Sequence, residues 1–365
     1  MNAAGKAHGK HAAGAILVGI GLLLWCSTSL LAHQGYDHKN KTSGAATEQD
    51  QRAAANRRGS ARWGADYFPN VPLVSHEGKT VRFFDDVIKD KVVILYFMYA
   101  SCEDTCPLET ARLVNVQRIL GDRVGTEVFM YAITVDPAND TPEVLKKYAE
   151  RYGVGPGWVF LTGKEADIIL LRKKFGLYSE DTGDEITDHN ISVVLGNQRT
   201  GRWMKRSPFD NPYMIAAQVG SWLVNWKLPE NDNTHIYAQS PQRRSLSLGG
   251  ALFEGRCSAC HTIGEGLDTA DGKPRAGREE PMMGPDLLGV TKRRDRAWLA
   301  RLLKEPDKML AERDPIVMEL YAKYNNVPMP NLRLSEVEVQ ALIDYMHDES
   351  LRVEKNRSRL SRQEP

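Results

Sequence analysis

Cys257-Ser258-Ala259-Cys260-His261 constrains this chain more tightly than any other stretch of it. Two thiols one helical turn apart can reach the two vinyl groups of one porphyrin, and the imidazole directly after them can ligate its iron. The spacing therefore reads as attachment of a c-type haem. Taken alone, the five residues leave open half of a zinc site, or a disulfide beside an incidental histidine. The other cysteines are Cys26, in an apolar stretch, and a second close pair, Cys102 and Cys106. That pair too is spaced for chemistry rather than for stapling distant segments.

A chain of 365 residues suits two domains better than one. Its 48 basic and 47 acidic residues nearly cancel, which argues against a nucleic-acid partner. Residues 12–32 carry no Asp, Glu, Lys or Arg and are long enough to cross a bilayer as a helix. Lys6 and Lys10, in the leader 1–11, hold that end in the cytoplasm. A single-pass transmembrane anchor in the cytoplasmic membrane is expected, with everything after it on the periplasmic side. A cleaved signal peptide competes: Ala32 suits a cleavage position, but Leu30 is large for the place two residues before it. Trp25 is too bulky to precede a lipidated cysteine, so Cys26 reads as buried in lipid. Residues 33–64 are polar and read as a flexible tether.

From residue 65 the texture changes. VPLV at 71–74 and VRFF at 81–84 flank a turn and predict a hairpin. VVILYFMYA at 92–100 and VFMYAITV at 128–135 are continuous apolar runs, as in strands buried on both faces. Pro107 opens a helix that Leu108, Ala111, Val114 and Ile119 carry to about Leu120. Thr141 caps a second helix, with Pro142 in its first position and Gly153 as its stop. A strand at 158–161, a helix at 166–174, a hairpin formed by ISVVLG and GRWMKR, and a helix over 212–226 follow. Strand, CxxxC, helix, strand, helix, hairpin, helix is a thioredoxin-like α/β pattern, placed at 65–227. Residues 228–246 are polar and form a linker, 247–348 read as an all-α domain, and 349–365 as a charged tail.

Cys102 and Cys106 fall between a buried strand and a helix start, where the helix dipole and free N–H groups favour a thiolate. Thiolates are soft ligands that suit Cu(I), and both sulfurs can face one ion from a single turn. A third copper ligand has to come from elsewhere, and His189, in a loop just ahead of a strand, is the candidate. An ordinary surface histidine is the alternative. Without metal, the same dithiol could exchange disulfides with a partner's cysteines.

Several segments resemble the SCO/SenC family of membrane-anchored copper proteins: YFPNVPLVSHEGKTVRFFDD, FMYASCEDTCPLE, VDPANDTPEVLKKYA and DHNISVV. The resemblance spans about residues 65–226. It implies a thioredoxin fold, copper held by Cys102, Cys106 and His189, and a role in assembling the binuclear copper centre of cytochrome c oxidase. Asp136, in the family-like VDPANDTP, is a weaker candidate for supporting that site. One departure stands out. Family members often carry a proline between the two cysteines, where this chain has Glu103-Asp104-Thr105. Two carboxylates there oppose thiolate formation while favouring a bound cation.

The second half is similar to class I cytochromes c over 247–348. GGALFEGRCSACH resembles their first helix, GPDLLGV the segment beside the proximal histidine, and LSEVEVQALIDYM their last helix. Asn326-Val327-Pro328-Met329-Pro330 resembles the loop that supplies the axial methionine. The resemblance implies thioether bonds from Cys257 and Cys260, with His261 and Met329 as axial ligands of the iron. Such ligation leaves no open position and suits electron transfer.

Together these features predict a membrane-anchored copper chaperone whose haem c domain passes electrons to or from the copper or dithiol site. Its expected partners are the copper-receiving subunit of a respiratory oxidase and electron-transfer proteins. A haem-coupled thiol–disulfide oxidoreductase, with Cys102 and Cys106 as its redox pair, is the alternative and the only enzymatic reading. A plain electron carrier on an inert scaffold would leave Cys102, Cys106 and His189 without a purpose.

Overall fold

The computed structural model describes residues 63–102, 105–178, 191–223, 247–264 and 283–360. All of them belong to one compact unit, Thr47–Pro365. The expected leader, anchor, most of the tether, the linker 228–246, Glu103, Asp104 and His189 lie outside the described residues. Among the described residues no helix is long and apolar enough to cross a membrane.

One seven-stranded sheet organises the first half, in the order β2-β1-β5-β4-β3-β6-β7. Its strands are β1 (Pro72–Ser75), β2 (Thr80–Arg82), β3 (Val92–Met98), β4 (Val128–Thr134), β5 (Trp158–Gly163), β6 (Val193–Asn197) and β7 (Arg202–Arg206). The central three run parallel, and hairpins close both edges. Every side chain of β3 is buried, as its unbroken apolar run requires. Alternate residues serve opposite faces. Ile94, Tyr96 and Met98 meet helices α2 (Cys106–Leu120), α3 (Pro142–Arg151) and α5 (Pro212–Ala217). Val93, Leu95 and Phe97 meet α4 (Glu165–Lys174) and α1, a wide helical turn at Phe83–Ile88. This is the thioredoxin-like α/β arrangement expected from the element order. The Thr141 hydroxyl accepts from Val144 N–H, and Gly153 takes φ +62° at the end of α3. Both were legible as cap and stop signals.

The second half is helical: α6 (Leu248–Leu252, continued by a wider turn Phe253–Cys257), α7 (Val290–Arg293), α8 (Arg296–Lys304), α9 (Pro306–Ala311), α10 (Pro315–Lys323) and α11 (Glu336–Leu360). Leu252, Phe253, Leu299, Val339, Leu342 and Ile343 form its core. Helices α6 and α11 cross at Gly249, where a Cβ would lie 1.9 Å from Ala341 O, so only glycine permits the approach. Charged sequence after Glu349 had suggested a tail, yet α11 continues to Leu360. Ser350 and Val353 are buried there, and those two contacts hold the extension.

Candidate functional site

β3 and β4 are parallel neighbours, so the loops after Met98 and Thr134 emerge side by side. Ligand sites in open α/β sheets favour this edge. The first loop delivers Cys102, and Cys106 opens α2. Both are buried as reduced thiols. Cys106 N–H points at Cys102 Sγ, 3.4 Å away. From the second loop, Asp140 Oδ2 accepts from Ala100 N–H at 3.0 Å, and the same oxygen accepts from the Thr134 hydroxyl. Asp136 is buried but is engaged by Asn139, at 2.9 Å and 3.1 Å.

The helix start was expected to favour a thiolate at Cys106. In the reduced pair the opposite holds: the hydrogen bond shared with Cys102, and then burial, push the Cys106 thiol well above its ordinary range. A proton held between two buried sulfurs outweighs the helix dipole, so a soft cation or oxidation has to displace it. Sequence reasoning missed Glu109, one turn after Cys106. It is completely buried, and neither carboxyl oxygen has a hydrogen-bond partner among the described residues. Burial, and then the neighbouring Cys102, lift its carboxyl well above the ordinary range. Among the described residues no three His, Cys, Asp or Glu side chains converge as a metal site, and His189 lies outside them.

In the helical half one cavity of about 220 Å³ brings together Cys257, Cys260, His261 and Met329. Met283 and Met346 also line it. His261 Nδ1–H donates to Pro285 O at 3.0 Å, which fixes the tautomer and leaves the Nε2 lone pair able to ligate a metal. Gly284 lets the imidazole sit flush: a Cβ there would stand 2.6 Å from His261 Cε1. Burial lowers the His261 pKa, favouring the neutral form that a metal needs, and pushes Cys257 and Cys260 up to about 12. Asp286 secures the following loop, accepting from the Thr262 hydroxyl and from the N–H groups of Gly264 and Leu288. Two thiols, an oriented imidazole and a thioether around an apolar crevice fit a covalently held haem.

The two halves meet on α2. Arg112 Nη2 donates to the carbonyls of Glu254, at 2.7 Å, and Gly255, just ahead of Cys257. Asn115 Nδ2 donates to Ala259 O at 3.4 Å, between the two haem-type cysteines. Ala259 packs on Leu108 and Ala111, with Cys260 beside them. Near the methionine loop, Asn325 donates to the carbonyls of Glu150 and Arg151 at the end of α3, at 3.1 Å and 2.9 Å.

Comparison with known proteins accords with this geometry. Residues 61–223 match the SCO1/SenC family model, and residues 246–349 match the cytochrome c model. Protein SenC of Rhodobacter capsulatus is 28% identical over 233 residues, covering 63% of this chain and 96% of that protein. An SCO2-like protein of Rickettsia typhi is 30% identical over 159 residues, covering 42% of this chain and 74% of its own length. The chain belongs to the SCO1/SenC family. The structure of Bradyrhizobium japonicum ScoI with copper bound is 28% identical, covers 42% of this chain and 96% of that one, and superposes with a TM-score of 0.36. The SCO1/SenC module thus carries Cys102 and Cys106, and a cytochrome c module carries the CxxCH motif.

Arg112 and Asn115 escaped sequence analysis because polar residues on a helix ordinarily read as a solvated face. Their spacing with Leu108 and Ala111, at i, i+3, i+4 and i+7, was the available signal.

Proposed function

We propose that this chain is a copper chaperone for oxidase copper-site assembly, anchored in the cytoplasmic membrane by residues 12–32, whose cytochrome c module exchanges electrons with the Cys102/Cys106 site. Family membership supports the chaperone part. The contact between α2, which begins at Cys106, and the segment Glu254–Ala259 carries the electron-exchange part.

Copper is cargo here. Cys102 and Cys106 each lose a proton to bind it, and His189 is the third ligand in this reading. If Cu(II) arrives, two Cu(II) ions can take one electron each from the two thiolates, leaving a disulfide and two Cu(I), so a nearby one-electron donor that reduces Cu(II) first protects the site. Haem, when bound, supplies a one-electron donor or acceptor with no open coordination position. Cys257 and Cys260 would anchor it, and His261 and Met329 would ligate its iron. His261 holds its orientation through Pro285 O.

A metal-free reading is favoured by one observation, two buried reduced thiols held together, with Cys106 N–H on Cys102 Sγ. Closing Cys102–Cys106 into a disulfide releases two electrons and two protons, which suits exchange with a partner's cysteines.

Metal analysis and optical spectra of the purified chain, wild type and His189→Ala, test the proposal. Copper near one per chain in the wild type, lost in the variant, with haem bands in both, is expected. Rapid mixing of reduced protein with Cu(II) should oxidise the haem or the dithiol. A chain that neither holds copper nor reacts with disulfides overturns both readings.

A further inference from the structure

Helix α2 is buried around almost its whole circumference, which packing on one sheet face does not explain. Cys106, Leu113, Val116 and Leu120 join the core above the sheet. Leu108, Ala111, Arg112 and Asn115 form a second face, and the haem-attachment segment of the cytochrome c module occupies it. Arg112 is only 5% exposed. Its Nη2 reaches two neutral carbonyls, while Nε has no hydrogen-bond partner among the described residues.

An arginine keeps its charge when buried, and taking a cation out of water is costly when its direct hydrogen bonds go to carbonyl dipoles, a cost that the Glu254 carboxylate offsets in part. A hydrophobic residue would fill this face at lower cost. The charge is placed where water screens it least, beside the segment that bears Cys257 and Cys260.

We propose that Arg112 is a cross-module positioning residue: it clamps the haem-attachment segment onto the dithiol helix, and its buried charge raises the reduction potential of the haem. The proposal rests on the assignment of Cys257, Cys260 and His261 as a haem site. A fixed positive charge nearby disfavours ferric iron, the more positive state, and the effect grows as the local dielectric falls. The carbonyls that Arg112 grips belong to Glu254 and Gly255, three and two residues before Cys257, which places its charge beside the attachment segment.

Optical redox titration of the haem in the full chain tests the charge. Arg112→Gln should shift the reduction equilibrium toward the ferric state by about tenfold, or about 59 mV for one electron. Arg112→Lys, which keeps the charge but not the two-carbonyl grip, should shift it less. An unchanged potential in Arg112→Gln, with the haem spectrum intact, overturns the proposal. A second measurement needs no change at position 112. With a protease site inserted within 228–246 of the otherwise wild-type chain, the two halves should co-elute after cleavage, and their separation would overturn the clamp. Neither readout involves copper or thiol oxidation, so failure here is distinguishable from failure of the chaperone reading.

Discussion

The Asp140 carboxylate accepts a hydrogen bond from the backbone N–H of Ala100 at 3.0 Å, tying the loop that carries Cys102 to the loop that leads into α3. Asp140 is 1% exposed, and burial raises its pKa even though the Thr134 hydroxyl and the Ala100 N–H both favour the charged form. Asp140→Ala leaves the Thr134 hydroxyl without this acceptor and frees the loop. The expected loss is about 1–3 kcal/mol of stability, the cost of a buried polar group left unpaired. Copper affinity should fall as well, because Cys102 is no longer held against Cys106. Denaturant melts and a copper titration of the variant check both; an unaltered affinity would show that the loop is positioned without this bond.

Glu109 makes a pH prediction with a definite sign. Burial holds its carboxyl protonated above its ordinary value near 4.5, so the folded protein keeps a proton that the unfolded chain releases. Stability from this group therefore falls as pH rises above about 4.5 toward the raised folded value. Glu109→Gln, an uncharged replacement of similar shape, should flatten that decline and be the more stable protein near neutrality. Melts of both proteins at about pH 5 and about pH 8 decide the matter. Equal losses between the two conditions would place the pH dependence elsewhere.

Legibility in the sequence followed from how many constraints each residue type obeys at once. β3 and β4 were plain because unbroken runs such as Val92–Met98 can be satisfied only by burial on both faces. The Thr141-Pro142 start of α3 was plain because a cap and a fixed φ point the same way. Cys257, Cys260 and His261 were plain because their spacing is itself the chemistry. Cys106 was placed correctly at a helix start, but its protonation depends on a tertiary fact, the proximity of the Cys102 sulfur. Arg112 and Glu109 look like routine helix polars, and only the packing of two modules around α2 reveals that both are buried.

Gly284 offers a test of the haem crevice that leaves its ligands in place. An added methyl would stand 2.6 Å from Cε1 and 2.9 Å from Nδ1 of His261, closer than van der Waals contact permits. Gly284→Ala should push the imidazole off its bond to Pro285 O and change the haem absorption spectrum. Overpacking of this kind costs typically about 1–3 kcal/mol. Titration of the Cys102 and Cys106 thiols in the same variant should match the wild type, since the strain lies in the other module.

The extension of α11 past Glu349 makes a sharper test, because charge composition alone marks it as dispensable. Ser350 Oγ accepts from Gly289 N–H at 2.9 Å, and Val353 is 1% exposed. Lys292 and Glu354 also pair at 2.9 Å, but both are well exposed and their bridge adds little. Truncation after Glu349 removes the buried valine and leaves a buried amide without its acceptor, at a cost of about 3 kcal/mol. Truncation after Asn356 leaves Ser350 and Val353 in place and should cost far less. Thermal melts followed at the haem absorption band compare the two. Equal melting temperatures would mean that the charged residues, not Ser350 and Val353, account for the length of the helix.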